Sequence, residues 1–332
     1  MKAEARKEGK LVIVSGAAAA LRKVGMDKNL ADKFGITVEY TAGLPSEVIP
    51  KVLAERRAGL YLEDIILSGG TNIIGVLKPA GVLEPLDEIL FLPESMDPKA
   101  WYKGEVPWVD KEHLVVATLA IPKSSVIINT NQLKREDIKS YRDLLDPKWK
   151  GRIILSDPTK AGNGSGWFSG IMEGIMDLDY LRAFAKQQPV ISRDERQMLE
   201  WVSQGKYPIL VGGREEVMVE FVRAGAPIEL MNPREGTYVT TSSAAVTMLK
   251  NAPHPNAAKL FANWMLTKEG GTFFSLAFGG QSGRVDVPTD HIDPSQLREP
   301  GVKYINSSNE EYALRQNDYL KLAQQIFADQ LK

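Results

Sequence analysis

Within residues 11–78 a short apolar run, a turn of small residues and a helical stretch follow one another three times. Leu11-Val12-Ile13-Val14 ends in Ser15-Gly16 and leads into the alanine-rich 17–21. Ile36 to Tyr40 precedes a helical Ser46 to Arg57, which carries Val48, Ile49, Val52 and Leu53 on one face and Pro50 in its opening turn, where proline is tolerated. Asp64-Ile65-Ile66-Leu67 is broken by Ser68-Gly69-Gly70-Thr71 before the helical Ile73 to Lys78. Such runs are too short and too continuously apolar for one-sided strands, and parallel strands need helical crossovers, so the repetition dictates α/β architecture.

The pattern changes at Leu114 to Asn129, an extended apolar segment interrupted by Pro122-Lys123-Ser124-Ser125, which suits a strand passing from one domain to another. A second α/β series begins at Arg152 to Leu155 and continues through the glycine-rich 161–166 into an apolar helix. Further helices are expected at Asp194 to Gln204 and Glu215 to Ala224, and strands at Pro208 to Val211 and Pro227 to Leu230. The extended Thr240 to Leu249 reads as the return crossing. Helices follow at Pro255 to Leu266, Lys268 to Phe278 and about 309–330, the last with Ser308 and Glu311 spaced as a capping box. At 332 residues the chain has the length of two ordinary domains.

Several function classes are set aside by composition. Cysteine is absent, which removes disulfide frameworks, thiolate metal sites and cysteine nucleophiles. The 41 Lys and Arg against 42 Asp and Glu leave no basic stripe for nucleic acid. No apolar run approaches the ~20 residues of a membrane helix. His113, His254 and His291 each lie alone in the sequence, and no metalloprotease, nucleophile-elbow, Walker or EF-hand pattern appears. What recurs instead is a small, hydroxyl-bearing turn after a strand: Ser15-Gly16, Ser68-Gly69-Gly70-Thr71, Ser124-Ser125, Asn163-Gly164-Ser165-Gly166 and Thr240 to Ser243. Ligands of open α/β sheets settle at the carboxyl ends of strands, so these turns are candidates to converge on one cleft. The glycine-rich turn fails both the dinucleotide and the Walker patterns, which leaves either backbone amides offered to an anion or a plain turn.

Blocks along almost the whole chain resemble the solute-binding proteins of ABC importers, in the branch that includes ferric-iron binders. Ala5-Arg6-Lys7-Glu8-Gly9-Lys10-Leu11-Val12-Ile13-Val14-Ser15 is similar to the A-K-K-E-G-K-L-V-V-Y-S start of the mature forms. The stretches 64–69, 77–86, 126–130 and 255–261 also resemble the family, and 141–153, YRDLLDPKWKGRI, is similar to S-W-x-D-L-L-D-P-K-W-K-G-K-I. The resemblance implies the two-lobed type II periplasmic-binding-protein fold with two crossing hinge strands. It places residues 1–120 and 245–332 in lobe one, 121–244 in lobe two, and the ligand in the cleft between them. It also implies a periplasmic or extracytoplasmic location, with a signal peptide cut away and a new terminal Met.

The iron-binding relatives commonly carry adjacent tyrosines after the strand that reads Pro208 to Gly213 here, where this chain has Arg214-Glu215-Glu216. Ferric iron needs hard anionic oxygen donors, and that substitution removes the expected ones. Arg214 can instead hold a carboxylate or phosphate through two parallel hydrogen bonds, or simply pair with Glu215, Glu216 or solvent. The hydroxyls of Ser15, Ser68, Thr71, Ser124, Ser125, Thr241 and Ser242, the turn residue Asn163, and amides at Gly16, Gly69, Ser165 and Gly166 would complete the shell. Trp167 would form either an apolar wall or core. The expectation is therefore a monomeric, non-catalytic receptor without cofactor or metal, closing about its hinge on a small organic anion and delivering it to the membrane subunits of an ABC importer. A ferric-iron receptor and an enzyme on the same scaffold are the alternatives.

Overall fold

Runs that bury both faces form the centre of each sheet, as the near-continuous Val, Ile and Leu content of the strands demands. The computed structural model describes residues 1–43, 45–123, 126–241 and 244–331. The chain first lays down β1 (Lys10–Ser15), β2 (Thr37–Thr41), β3 (Ile65–Ser68), β4 (Leu83–Glu84) and β5 (Val116–Ala117). It crosses through β6 (Ile121–Lys123) and builds β7 (Val126–Asn129), β8 (Ile153–Ser156), β9 (Val190–Ser192), β10 (Ile209–Val211) and β11 (Ile228–Met231). β12 (Thr237–Thr240) leads back to β13 (Ala245–Leu249), and β14 (Tyr304–Asn306) lies in the tail.

The chain divides into two units: 1–121, 240–292 and 308–314 form the first, and 122–239, 293–307 and 315–332 the second. The sheet of the first has the order β2-β1-β3-β13-β4, with β5 also on β13. β2, β1 and β3 run parallel, whereas β13 is antiparallel to β3, β4 and β5. The second unit's sheet, β11-β7-β10-β8-β9, is parallel through β10, β8 and β9 and antiparallel at β7. A small third sheet has the order β14-β12-β6.

Asp64 fastens the first unit together. Its buried carboxylate accepts the amide of Val12 on β1 (2.8 Å) and both the amide and Nδ1 of His254 (2.7 and 2.9 Å), at the start of the helix Pro255–Met265. Its own backbone bonds to Val12 and Leu249, so one residue ties β1, β13 and that helix. Lys78 does similar work at the helical end of the unit, where it meets Asp110, Glu112 and Glu310. Partial burial opposes its charge, but the three carboxylates outweigh burial and push the ammonium's pKa well up.

Two local expectations need correction. The helix read from Ser46 begins at Pro45, so Pro50 falls inside it and the helix forgoes one main-chain hydrogen bond there. The final helix, Glu310–Ile326, is capped by Asn309, whose Oδ1 accepts the Tyr312 amide at 2.8 Å. Ser308 Oγ, the expected cap, accepts the Thr241 amide instead (2.9 Å), because the tail has folded back to that strand end.

The largest correction concerns the tail, all of which was assigned to lobe one. Ala323 and Phe327 are fully buried in the second unit's core, where Phe327 meets Phe168 edge-on at 6.4 Å. β14 likewise pairs with β12, so the chain passes between units three further times, after residues 292, 307 and 314. Glu173 holds this helix to the second unit through Arg315 (2.8 and 2.7 Å) and Tyr319 (2.7 Å). Burial opposes the Glu173 charge, yet Arg315 and Tyr319 outweigh it and hold the carboxyl below its ordinary pKa.

Two measurements check these ties. Asp64→Ala removes one acceptor from three donors and is expected to cost at least ~3 kcal/mol in urea unfolding, since each bond to a charged group is worth roughly 1.5–3 kcal/mol. The Glu173 contribution, from a lowered folded pKa, is complete above the unfolded carboxylate range and is lost as pH falls through the folded value. Arg315→Leu should therefore cost about 1 kcal/mol at pH 7 and progressively less under acid, a difference read by parallel thermal melts.

Candidate ligand-binding site

In the first unit the register gathers several turns on one sheet edge. Ser15 of β1 lies beside Leu67 of β3, and Ala245 at the start of β13 lies opposite Ser68 and Ala117. Ser15 Oγ accepts the Ala17 amide (3.1 Å) and so closes its own turn. A Cβ at Gly16 would come within 3.2 Å of the Gly43 carbonyl oxygen, so two turns approach closely there. The Ser68 hydroxyl is buried with no hydrogen-bond partner among the described residues. Gly69 is extended and caps a helical run, Gly70–Asn72 continued by Ile73–Leu77, with Thr71 in its first turn. Thr241 is buried, and the nearby Ala244 carbonyl accepts both the amide and the hydroxyl of Thr118.

The second unit repeats the device. Val211 of β10 lies beside Leu155 of β8 and opposite Val126 of β7, so Ser156, Gly212 and the start of β7 share one edge. The expected contributors before Val126, Ser124-Ser125, lie outside the described residues, as does Ser242. Over the edge sits the helix Asn163–Gly170. Its glycines serve close approach: a Cβ at Gly164 would stand 2.1 Å from the Ser156 carbonyl oxygen, and one at Gly166 would stand 2.7 Å from Tyr238 Oη. Gly212, at φ +70°, completes the contact, with a Cβ there 3.3 Å from the Gly164 Cα.

Two expected contributors from this turn, the Gly166 amide and Trp167, are otherwise engaged, and the Ser165 hydroxyl is taken up by the turn itself, although the group expected of Ser165 was its amide. Ser165 Oγ accepts the Gly162 amide (3.0 Å) and donates to the Gly162 carbonyl (2.9 Å), while the Gly166 amide also donates to that carbonyl. Trp167 is 0% exposed, its ring 5.4 Å from Phe184 in the core. It sits on the inward face of its helix beside Phe168 and Ile171, so it is core and no ligand wall. Asn163 remains at the turn, partly exposed, its carbonyl 3.5 Å from Tyr238 Oη.

Arg214 follows Gly212-Gly213 at this edge and is the exposed residue preceding the helix Glu215–Arg223. Glu215 turns inward, and its carboxylate meets Lys123 Nζ at 3.1 Å with both side chains buried. The Lys123 carbonyl in turn accepts the Thr237 hydroxyl. Nothing in sequence spacing pairs residues 92 positions apart, and the one available signal was a lone cation in an apolar strand.

The histidines find partners that sequence separation concealed. His254 meets Asp64 at the far end of β3 from Ser68, and His113 stacks on Trp108 at 4.3 Å. His291 Nε2 lies 2.9 Å from Ser275 Oγ, but that hydroxyl already donates to the Gly280 carbonyl at 2.8 Å. It therefore receives the histidine's proton instead of giving up its own. Among the described residues no cluster of three or more His, Asp or Glu could hold a metal.

Two α/β units, each ending its central strands in small polar turns and joined by strands that cross between them, define a type II periplasmic-binding-protein fold. The model of the bacterial extracellular solute-binding protein family matches residues 11–277, and the chain belongs to that family. It is thus a solute-binding protein of the ABC-importer class, whose members deliver small ligands to membrane subunits. An uncharacterized protein of Haemophilus influenzae is 25% identical over 278 residues, covering 80% of this chain and 75% of its own. Among solved structures, Trichodesmium FutA in complex with iron and citrate superposes with a TM-score of 0.75 at 17% identity, covering 96% of this chain and 99% of that one. AfuA of Actinobacillus pleuropneumoniae, bound to fructose-6-phosphate, gives 0.61 at 20% identity over 97% and 98%. Bordetella ferric binding protein gives 0.73 at 16% identity over 96% and 98%. No helix among the described residues is long and apolar enough to cross a membrane.

Gly164→Ala tests the close approach that shapes the second edge. Its Cβ meets main-chain atoms that cannot rotate away, so a loss of about 1–3 kcal/mol is expected in urea unfolding. Gly75→Ala, in the helical run Ile73–Leu77 where a Cβ meets nothing within 4 Å, should cost less.

Proposed function

We propose that this chain is the periplasmic receptor of an ABC importer for a small organic anion, a carboxylate or phosphate ester, anchored by Arg214. The observation that carries the reading is the placement of Arg214. It stands exposed on the strand-end edge of the second unit, at the start of a helix and after two glycines, where a guanidinium can form two parallel bonds to an anion. Ser15, Gly16, Ser68, Gly69, Thr71 and Thr241, on the strand-end edge of the first unit, are the small polar groups proposed for the rest of the shell. Ser68 supports this most directly, because a buried hydroxyl without a partner costs free energy until a ligand satisfies it. Asn163, Ser124, Ser125 and Ser242 complete the proposed set.

Capture proceeds by hinge closure: the anion binds the closed arrangement better than the open one, and that difference shifts the population. The monomer then presents itself to the membrane subunits. An enzyme on this scaffold finds less support, since the Ser275–His291 contact runs its protons the wrong way for a nucleophile. A ferric receptor is favoured by one observation, the iron named with several neighbours of this fold. Against it stands Arg214-Glu215-Glu216 at the position where the resemblance calls for tyrosines.

Thermal unfolding in the presence of carboxylates, phosphate esters, sugars, amines and ferric citrate decides between these readings. A ligand at a hundred times its Kd stabilises by ~2.7 kcal/mol, a plainly visible shift in Tm. An organic anion is expected to produce it in the wild type, and Arg214→Ala to abolish it. A shift with ferric citrate alone, accompanied by visible absorbance from tyrosinate, would establish the iron reading and remove Arg214 from the site.

A further inference from the structure

The first unit carries a second built recess at the opposite edge of its sheet. β13 begins at the ligand edge with Ala245 and ends at Leu249, and the following Lys250 and Asn251 form one wall of a cavity of about 460 Å³. Leu53, Arg56 and Arg57 of the helix Pro45–Arg57, with Tyr61, line it on one side, and Ala80, Gly81 and Val82 on another. That volume lies within the range of small-molecule sites.

Arg56 is what makes the recess unusual. It is only 8% exposed, its Nη1 has no hydrogen-bond partner among the described residues, and its Nη2 donates to the Lys250 carbonyl. The Tyr61 ring, 42% exposed, lies 5.0 Å from the guanidinium carbon. Arg57 and Lys250 add two further positive charges at the rim. Glu63 lies within electrostatic reach of Arg56 and offsets part of its charge, but among the described residues the lining of the recess itself carries Arg56, Arg57 and Lys250 and no carboxylate. Glu55 and Glu63 share Lys51, at 2.7 and 3.8 Å; burial and then the Glu55 charge raise the Glu63 carboxyl above its ordinary pKa, against the opposing pull of Lys51 and Arg56. Three cationic side chains gathered on one recess whose described lining holds no carboxylate favour an anionic occupant.

We infer that this cavity is a second ligand site, separate from the solute site, that takes a small carboxylate with a flat apolar body. The carboxylate would meet Arg56, with Arg57 and Lys250 at the rim, while Tyr61, Leu53, Ala80 and Val82 cover the ring. Recognition by a planar cation beside an aromatic face favours an aryl carboxylate over a bare inorganic anion, because the cavity wall offers the ring apolar surface.

Two-dimensional amide NMR of the uniformly labelled protein, titrated with benzoate, benzamide and inorganic phosphate, tests this. Benzoate is expected to shift the Gly59, Gly81 and Asn251 amides along a saturating curve and leave Gly16, Gly69 and Gly212 in place. Benzamide and phosphate are expected to bind at least tenfold more weakly. Arg56→Met should abolish the benzoate response. Since Arg56 also bonds the Lys250 carbonyl and its loss can unfold the chain, Ala80→Trp provides the second variant: it fills the cavity from an exposed wall and keeps Arg56. Absence of benzoate shifts at these three amides, an equal response to benzamide, or an unchanged response in Ala80→Trp would overturn the inference. Because the readout is confined to this edge, the result is independent of whether Arg214 anchors the transported solute.

Discussion

A single buried carboxylate, Asp64, fixes the register on which the first unit depends. Its side chain accepts from β1 and from the residue that starts the helix Pro255–Met265, and its carbonyl accepts from the end of β13. Those partners are 52, 185 and 190 residues away, so the interaction is what makes a discontinuous unit close on itself. Once Leu249 is set against Asp64, the antiparallel register carries Ala245 to Ser68 and delivers the chain around Thr241 to the ends of β1 and β3. A one-residue slip would turn every buried side chain of β13 to the other face.

Charge is handled differently at the two edges of that sheet. At the strand-end edge the first unit offers hydroxyls and amides, with Ser68 left unsatisfied. At the other edge Asp64 is fully matched, whereas Arg56 is not. Buried polar groups in folded proteins are normally paired, and the exceptions mark places where something else belongs. Ser68 and Arg56 are two of several such groups among the described residues; what separates the proposed transport site from the proposed second site is that the small polar turns and the cation-lined cavity lie at opposite edges of the sheet.

β1, β2, β3, β8, β10 and β11 were legible to within a residue or so, most of them because their continuous Val, Ile and Leu runs match strands buried on both faces. The segment 114–129 instead breaks into β5, β6 and β7, the segment 240–249 is divided between β12 and β13, and the short β4, β9 and β14 carry no such run and were missed. The glycine-rich turn at 162–166 was legible as a turn, but its purpose was not. Its glycines relieve contacts with Ser156 and Tyr238, partners from distant segments, and a ligand cradle looks the same in sequence as a tight packing contact. Trp167 shows the same limit: one helix position decides between wall and core, and only the packing of Phe184 against it settles which.

What the sequence by itself determined is the local part: α/β alternation, the crossing segments, the helix bounds, the absence of thiol chemistry and the family resemblance. These follow from periodicity, composition and short motifs, all of which act over a few residues. The tertiary structure alone decided the membership of the tail, the Lys123–Glu215 pair, the cap at Asn309 and the cavity around Arg56. Each of those depends on groups brought together from far apart in the chain, where burial turns a modest polar contact into one the fold must satisfy.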